Sequence, residues 1–521
     1  MGHLPLMRLM AMKRERRRLR RKRRRQHALA PDESIASMKK RKSSSYQQVE
    51  NTHSDKRLRY SVPYLPEGIW QHIHSLMPMG DAGRAACLSS AFLYSWRNRP
   101  KLTFSTETIG IVERRPDFIR KIDRIMKKHS GIGVEALTIE FMDLYTTKAR
   151  SYLERWLQIV VTPRIEELSL MVSPLKRKSY YDFPCSLLSN GNGSSIRLLD
   201  LHCCTFHPTP ELGCFQSLTR LHLERVIITG DELGCLLSSS SVLERLELRA
   251  CYHIEHLKLP STLQQLSYME VCDCCRLRRI ENEAPNLYSL HLSGWYFSTQ
   301  LCFGESSLVK NLRTGHFFSL YRAFAELPSI FPNLETFAIR WLPRMGDAPM
   351  VPNTFCHLKY LSILQTTRSA SFDYLSLVSF LDACPSLDTF ILNSHARHSE
   401  DDSIIVNPSD LRQLPGQYHG NLRDVKITRF CSAKSLVELT CHILKNTSVE
   451  RLTLDTTECT LRCSPGETGR CSYIMDKNDL LIASRALLAI RTYIEGRVPS
   501  TVKLNVVEPC GRCYVIPPFR I

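Results

Sequence analysis

The sequence predicts an α/β fold: a solenoid (horseshoe) of short parallel strands, preceded by a small all-α module and a disordered basic tail. Three observations indicate this. A short apolar motif recurs through most of the chain, three brief apolar segments lie around residue 70, and positive charge is concentrated at the start. The sequence divides accordingly into a tail (1–59), a helical module (60–104), irregular repeats (105–475) and a C-terminal capping region (476–521).

The first segment is strongly basic. Residues 1–60 contain 19 Lys/Arg and 5 Asp/Glu, a net charge of +14, whereas the whole 521-residue chain carries +19. A block of like charge with few apolar side chains repels itself and cannot bury a core. The sequence therefore predicts a disordered tail and assigns the basic character to it, not to the folded body.

Basic clusters within the tail are typical of nuclear-import signals. The candidate import residues are Arg16, Arg17, Arg18, Arg20, Arg21, Lys22, Lys39, Lys40, Arg41 and Lys42, and a further cluster lies at 56–59. The spacing of the last two clusters suits a bipartite signal. Two alternatives stay open: weak nonspecific contact with nucleic acid, and a solubilising or organelle-targeting role. We expect a nuclear protein, with the cytoplasm as a second location.

Bulk features exclude several other classes. No apolar run approaches the roughly 18 residues of a membrane span, and charge follows the mildly apolar start, the reverse of a signal peptide. Leu6 stands where a myristoylation motif needs Ser or Thr. We expect no contact with a membrane. The 20 cysteines are scattered, so we expect reduced thiols that pack as small apolar groups.

The helical module begins at a Leu-Pro pair. Pro66 suits the start of a helix, because its missing N–H would have no partner there. Ile69, Ile73 and Leu76 then recur at helical spacing, and Pro78 ends the run. A second apolar stretch follows up to a tryptophan at position 96. These short segments cannot close a core without help.

The repeats share one motif, an apolar residue followed by x-x-L-x-L. Its central residue lies at Leu137, Leu168, Leu199, Leu221, Leu246, Leu290, Phe337, Leu361, Phe390, Val425 and Leu452, with weaker copies near Leu263 and Leu312. The spacing is mostly 20–31 residues, near the roughly 20–29 of leucine-rich repeats. Longer links, such as the one after Phe390, predict insertions on the outer face. Each strand alternates, so stacked repeats share one core.

The end of the chain departs from the repeat. Residues 477–496 read as one amphipathic helix stopped by a glycine, and a strand-like segment follows at 501–507. A terminal element with one polar face can cover the last open edge of a solenoid core.

In this order, the tail, helical module, solenoid and cap resemble the large plant family of F-box/LRR proteins. Two segments are especially similar to its grass members: 65–70 (Leu-Pro-Glu-Gly-Ile-Trp) and 85–92 (Ala-Ala-Cys-Leu-Ser-Ser-Ala-Phe). The ending also resembles that group, at 484–496 (Ser-Arg-Ala-Leu-Leu-Ala-Ile-Arg-Thr-Tyr-Ile-Glu-Gly) and 506–510 (Val-Val-Glu-Pro-Cys). The resemblance covers about residues 60–521 and rests on the ordered combination, since no motif is decisive by itself.

The resemblance implies that the F-box docks on a Skp-type adaptor, and through it on a cullin. By motif position, the adaptor-binding residues, on or supporting the contact, are Leu65, Pro66, Ile69, Ile73, Leu76, Pro78, Ala85 and Leu88. The alternative is that these side chains belong to an intramolecular core. Gly68, Gly80 and Gly83 depart from the helix formers common here and predict a weak adaptor contact.

The sequence carries few patterns typical of a catalytic or metal site. Cys510 and Cys513 have the two-residue gap of a zinc site, and Cys463 with Cys471 would have to complete it, so we favour reduced thiols and expect no metal or cofactor. No phosphate loop, nucleophile elbow or His-Glu metal helix is present. We therefore expect that the protein is not an enzyme.

The exposed strand positions are the better candidates for binding. Residues expected there, and assigned to target recognition, are Arg220, Arg245, Glu247, Arg249, His291 and Tyr360. Their mixed charge suits a protein partner, whereas a nucleic-acid groove would favour one sign. The alternative for each residue is an ordinary solvated side chain.

We therefore expect a substrate-recognition subunit of an SCF-type (Skp–cullin–F-box) ubiquitin ligase, whose solenoid holds a target protein. The alternative is a nuclear scaffold that binds RNA or chromatin through its tail and carries a vestigial F-box. A third reading, a small hormone or inositol phosphate held in the solenoid, rests on analogy alone.

Overall fold

The computed structural model describes residues 66–109, 115–129, 133–142, 147–172, 180–189, 191–209, 215–294, 299–304, 308–315, 320–341, 353–366, 372–394, 402–415, 417–457 and 477–509. Three parts of the sequence analysed above lie outside the described residues: the basic tail with its candidate import clusters, Leu65, and the four cysteines considered for zinc (Cys463, Cys471, Cys510 and Cys513).

Three short helices open the described chain: α1 (Glu67–Leu76), α2 (Met79–Ala85) and α3 (Ser90–Arg97). Pro66 and Pro78 are the residues just before α1 and α2. Their carbonyls accept the first hydrogen bonds of each helix, for example Ile69 N–H to Pro66 O at 2.9 Å. Proline therefore sets two of the three helix starts, as its fixed φ and missing donor favour.

The remaining helices are α4 (Thr106–Ile109), α5 (Arg115–Lys128), α6 (Thr147–Val160), α7 (Gly230–Ser238), α8 (Leu320–Ile330), α9 (Val378–Asp382), α10 (Lys434–Asn446) and α11 (Lys477–Ala489). Short 3₁₀ turns lie at Cys185–Leu188, Tyr374–Leu377 and Glu495–Arg497, and a π turn lies at Ile490–Ile494. The predicted C-terminal helix thus runs to its predicted end, but its last turns change type. No helix in the described part of the chain is long and apolar enough to cross a membrane.

A single parallel sheet of 15 strands dominates the fold. Its strands are, in spatial order, β1 (Lys101–Phe104), β2 (Ala136–Met142), β3 (Glu167–Val172), β5 (Leu198–His202), β7 (Arg220–Glu224), β8 (Arg245–Arg249), β10 (Tyr268–Cys272), β12 (Ser289–Ser293), β14 (Asn311–Gly315), β15 (Thr336–Trp341), β16 (Tyr360–Gln365), β17 (Thr389–Asn393), β18 (Asp424–Thr428), β19 (Arg451–Asp455) and β20 (Lys503–Val507).

The order of strands along the sheet follows the order of the chain, which is the topology of a solenoid. The register is continuous: Leu221 lies opposite Leu199 and Leu246, and Leu223 opposite Leu201 and Leu248. These leucines are buried, so each strand turns one face into a core that it shares with its neighbours. The predicted α/β leucine-rich repeat solenoid is confirmed.

The sheet extends past the repeats at both ends. Strand β1 lies within the segment that the sequence assigns to the helical module, and it pairs with β2 from Lys101 to Phe104. Strand β20 lies within the predicted cap and pairs with β19. Leu504 and Val506 of β20 are only partly buried, as expected of a last strand.

The turn after several strands is left-handed. Cys203, Arg225, Ala250 and Asp273 each follow a strand directly and have φ between +52° and +55°, a region that costs a non-glycine residue about 1–2 kcal/mol. Each N–H donates to the last residue of the next strand, as in Arg225 N–H to Arg249 O at 2.7 Å. A repeated hydrogen bond therefore stabilises a repeated strained turn.

Two smaller parallel sheets were not predicted. Strands β9 (His256–Leu259), β11 (Arg279–Asn282) and β13 (Gln300–Phe303) form one, with β11 in the middle, and β4 (Tyr181–Asp182) pairs with β6 (Cys204–Thr205) in the other. They occupy the return segments of consecutive repeats. Leu257, Leu259 and Ile280 are buried, so these strands close the side of the core that faces away from the main sheet.

Candidate functional site

Large apolar side chains are exposed on the helical module. Ile69, Ile73 and Leu76 of α1 are 46%, 38% and 73% exposed, and Leu88, between α2 and α3, is 83% exposed. The spacing i, i+4, i+7 places the three α1 residues on one helix face. Pro66 and Pro78 are also exposed. We call Pro66, Ile69, Ile73, Leu76, Pro78 and Leu88 the apolar helix surface.

The opposite side of α1 is covered within the chain. Phe92 of α3 lies edge-on to Trp70, with ring centroids 5.2 Å apart, and stacks on His74 at 5.8 Å. Ala82 and Ala85 of α2 are buried. Of the eight predicted adaptor-binding residues, six form the apolar helix surface, Leu65 lies outside the described residues, and Ala85 lies beneath the surface, where it can only support a contact.

A buried arginine joins this module to the solenoid. Arg99 donates to the carbonyl oxygens of His74 (2.8 Å), Ser75 (3.1 Å) and Met77 (2.7 Å) at the end of α1, and to Lys101 O (3.0 Å) in β1. These contacts satisfy carbonyls that a helix end leaves without partners. The apolar helix surface therefore has a fixed orientation relative to the first strand.

The exposed residues of the long sheet form a second candidate surface, which we call the polar face. It consists of the strand residues that alternate with the buried leucines. Its centre is Glu270 of β10, only 5% exposed. Glu270 accepts hydrogen bonds from Tyr268 (2.7 Å) and pairs with Arg249 (2.7 Å) and His291 (3.3 Å).

These contacts determine the charge of Glu270. The hydrogen bond with His291, together with Tyr268 and Arg249, outweighs burial and holds the pKa of the Glu270 carboxyl well below its usual range. The carboxylate is thus ionised at neutral pH. Nearby, burial and the charge of Glu270 raise the pKa of the Cys272 thiol to about 12. Cys272 is therefore a neutral thiol and a poor nucleophile.

A second carboxylate cluster lies three strands away on the same face. Asp200 of β5 contacts His202 Nε2 at 2.9 Å and His222 Nδ1 at 2.8 Å, and accepts a hydrogen bond from Ser169 at 2.7 Å. These hydrogen bonds outweigh burial and lower the pKa of Asp200. Burial opposes protonation of His222, but Asp200 raises the pKa of that ring above its usual value.

The structure brings together four of the six residues predicted to recognise a target. Arg245, Glu247, Arg249 and His291 lie around Glu270, with Arg249 bridging Glu270 and Glu247, and Arg245 stacked 4.1 Å from the centre of the Tyr268 ring. Of the other two, Arg220 of β7 lies directly opposite Arg245 in the register, at the edge of this group, and Tyr360 lies apart on β16.

Several residues of the polar face were not predicted from the sequence. Asp200 and His202 flank Leu201 in a strong copy of the motif and could have been found by the alternation of the strand. Tyr268, Glu270 and Cys272 lie in a strand whose inward residues are Met269 and Val271. Those replacements of leucine weakened the signal of the repeat.

Comparison with known proteins gives the family. The family model described as "At1g61320/AtMIF1, LRR domain" matches residues 125–511. The F-box/FBD/LRR-repeat protein At1g13570 of Arabidopsis thaliana is 22% identical over 329 residues, which cover 62% of this chain and 73% of that protein. The FBD-associated F-box protein At1g66310 of the same plant is 23% identical over 376 residues, or 67% and 80% of the two chains.

Among solved structures, an internalin (inlF) from Listeria monocytogenes aligns with 64% of this chain and 92% of its own, at 13% identity and a TM-score of 0.32. The family rests on the other matches: the repeat model covers most of the chain, At1g13570 is an F-box protein with leucine-rich repeats, and At1g66310 is an F-box protein. The chain belongs to the plant F-box/LRR-repeat proteins.

Proposed function

We propose that this protein is the substrate-recognition subunit of an SCF-type ubiquitin ligase. The helical module binds a Skp-type adaptor, the adaptor links it to a cullin, and the polar face of the solenoid binds the target protein. The chain itself catalyses nothing. It raises the local concentration of the target beside a ubiquitin-conjugating enzyme that the other subunits position.

The observation that carries the proposal is the apolar helix surface. Leu76 and Leu88 are 73% and 83% exposed, although burial of one such side chain is worth about 1.5–3 kcal/mol. The other side of α1 is already packed against Phe92, and Arg99 fixes the position of the module. The two exposed leucines therefore do not contribute to packing within the chain. A contiguous exposed apolar surface of this kind marks a protein-interaction site.

Adaptor binding can be tested with the full chain and a Skp-type adaptor expressed together. The triple variant Ile73→Gln, Leu76→Gln, Leu88→Gln removes apolar surface without adding charge. We expect at least a tenfold loss of co-purified adaptor, since two buried leucines alone are worth about 3 kcal/mol or more. The matched control is Leu481→Gln with Leu488→Gln, two leucines of α11 that are 45% and 50% exposed.

The control variant should keep the adaptor. If the unaltered protein binds no Skp-type adaptor, or if the triple variant binds it as well as the control does, the proposal is wrong.

The polar face is proposed as the target-binding surface because its charges have both signs and are held in fixed pairs. Proximity labelling in plant cells can identify neighbours of the wild type and of the variant Arg220→Glu with Tyr360→Ala. We expect a small set of proteins to disappear with this variant while the adaptor remains. A target set unchanged by polar-face substitutions would place recognition elsewhere.

We also propose that the protein acts in the nucleus, with import directed by the basic tail. The support for this proposal is that residues 1–60 carry +14 of the chain's net charge of +19. Deletion of residues 1–59 should move a fluorescent fusion from the nucleus to the cytoplasm, and the tail alone should carry a reporter in. If the deletion leaves location unchanged but abolishes salt-sensitive RNA binding, the tail is a nucleic-acid contact instead.

A further inference from the structure

Three metal-ligand side chains converge at the start of the polar face. Asp200 and His202 are two residues apart on β5, so they share a face of the sheet. His222 of β7 lies directly opposite Asp200 in the register. Asp200 Oδ1 is 2.9 Å from His202 Nε2 and 2.8 Å from His222 Nδ1, and the two rings are nearly perpendicular with centroids 5.0 Å apart.

The spacing of these three atoms suits a metal ion. A tetrahedral Zn²⁺ with bonds of about 2.0–2.1 Å holds neighbouring ligand atoms about 3.3 Å apart. The two measured separations are shorter because hydrogen bonds now join the carboxylate to both rings. An opening of about half an ångström, within reach of small side-chain rotations, would admit the ion.

The surroundings orient two of the ligands. Ser169 donates to Asp200 Oδ2 at 2.7 Å, which keeps Oδ1 turned toward the two imidazole rings. Glu224 Oε2 lies 3.6 Å from His202 Nδ1, on the side of the ring that faces away from Asp200. Once a metal displaces the proton from Nε2, a carboxylate at that position can hold the remaining ring proton on Nδ1, an arrangement common around metal-bound histidine.

We propose that Asp200, His202 and His222 bind a Zn²⁺ ion. Two imidazole nitrogens and one carboxylate oxygen suit zinc better than Ca²⁺ or Mg²⁺, which prefer oxygen ligands. The three side chains are 14%, 14% and 22% exposed, so the site is sheltered yet open to solvent. A water molecule takes the fourth position. The proposal does not depend on the function proposed above.

A similar cluster nearby lacks these properties and serves as a comparison. Glu270, Cys272 and His291 are also close together. However, one oxygen of Glu270 is paired with the Arg249 guanidinium at 2.7 Å and the other accepts from Tyr268 at 2.7 Å. A metal ion would have to displace a cation that is already bound. The high pKa of the Cys272 thiol also keeps it protonated, whereas a metal needs the thiolate.

The test uses the full-length protein, stripped with a chelator, kept reduced and titrated with Zn²⁺ alone. Bound zinc is counted by mass spectrometry of the metal, and Co²⁺ substitution reports the coordination geometry. Cysteines elsewhere in the chain can also bind zinc, so the quantity compared is the difference in bound zinc between each variant and the wild type. We expect His222→Asn and His202→Gln each to bind one equivalent less than the wild type, and His291→Asn to bind the same amount.

Thermal unfolding gives an independent readout. Zinc should raise the Tm of the wild type and of His291→Asn, but raise it less in the two ligand variants. The variant Glu224→Gln should still bind the same number of zinc equivalents as the wild type, but with an affinity for zinc that is about 10–100-fold weaker. The two ligand variants, His202→Gln and His222→Asn, lie on different strands, so a folding defect in one does not affect the other. Circular dichroism before metal is added shows whether each variant is folded. If both bind as much zinc as the wild type, or if only His291→Asn loses it, the proposal is wrong.

Discussion

The Arg99 side chain donates a hydrogen bond of 2.8 Å to the carbonyl oxygen of His74, the last but two residue of α1. Arg99 is only 8% exposed, and the same guanidinium reaches Ser75 and Met77. The carbonyl of Arg99 in turn lies 2.9 Å from His129 Nε2, after α5. One residue thus connects the end of α1 to the start of the solenoid.

Replacement of Arg99 by methionine should loosen this junction. The change removes the charged donor from the carbonyls of His74 and Met77, and His74 O keeps only the N–H of Met77. Each group left unsatisfied costs about 1–3 kcal/mol. We expect a lower Tm and faster proteolysis between residues 97 and 105. Arg99→Lys should recover little, because an ammonium cannot serve the spread of carbonyls that a guanidinium reaches.

The control for this experiment is Arg220→Met, which removes an exposed arginine from the polar face. It should change the free energy of unfolding by less than about 0.5 kcal/mol and leave the Tm nearly unchanged. If Arg99→Met behaves like this control, the junction does not depend on Arg99.

The junction should also be sensitive to acid. Burial lowers the pKa of both His74 and His129, and outweighs the backbone hydrogen bond that each ring makes. His74 Nδ1 is buried and, within the described residues, has no hydrogen-bond partner. Both rings are therefore neutral in the folded protein, while in the unfolded chain they titrate near 6.5.

The sign follows from linkage: a histidine with a depressed folded pKa stabilises the fold above the unfolded pKa, and that contribution falls as pH drops below 6.5. We expect the Tm to fall between pH 7.5 and 5 by more in the wild type than in the double variant His74→Gln, His129→Gln. Equal slopes for the two proteins would show that other groups set the acid limit.

The sequence predicts the main sheet well because each strand carries its own signal. Leu221 and Leu223 alternate with polar residues, and a change of register by one residue would bury Arg220 and His222. Even the degenerate copy at Leu312 forms a strand, with Thr314 buried in place of a leucine. The shared core tolerates this replacement because the adjacent repeats keep large apolar residues at their inward positions.

The polar clusters are not predictable in the same way. The low exposure of Glu270 results from Tyr268 on its own strand and from Arg249 and His291 on the two neighbouring strands. A local sequence pattern does not predict which outward-facing residues of neighbouring strands will contact each other, because those residues are 21 or more positions apart in the sequence. The small second sheet escapes prediction for another reason: four-residue strands such as His256–Leu259 alternate too briefly to stand out.

Two glycines should respond oppositely to substitution by alanine. Gly83 lies within α2 beside a cavity of about 250 Å³, and a Cβ there would meet the Trp96 ring at 3.9 Å, an ordinary contact. Gly83→Ala should stabilise the protein by about 0.5–1 kcal/mol, the usual cost of a helical glycine. At Gly230, the first residue of α7, a Cβ would collide with the carbonyl oxygen of His256.

Gly230→Ala should therefore destabilise the protein by more than about 1 kcal/mol, since backbone has to move. Urea unfolding measures both free energies. The two variants add the same methyl group to the same type of residue, so a shift of the same sign in both would contradict the packing described here.

Arg412 anchors the end of the segment 402–415, which is inserted in the long link after Phe390. Arg412 pairs with Asp373 at 2.8 Å and with Glu438 at 2.6 Å, and its backbone N–H also donates to Glu438 at 2.7 Å. Glu438 lies in α10 and its side chain is 0% exposed. The remaining cation nearby, Lys434, is 3.8 Å away.

Removal of Arg412 leaves a buried carboxylate with too few partners, a change that typically costs about 3–5 kcal/mol. We expect Arg412→Leu to lose about 3 kcal/mol in urea unfolding, near the lower limit because the backbone donor remains. The control is Arg423→Leu, which breaks an exposed pair with Glu450 and should cost less than about 1 kcal/mol. The double variant Arg412→Leu, Glu438→Leu should be more stable than Arg412→Leu alone, because the second change removes the unpaired charge. Additive losses in the double variant would show that Arg412 contributes by packing and not by neutralising Glu438.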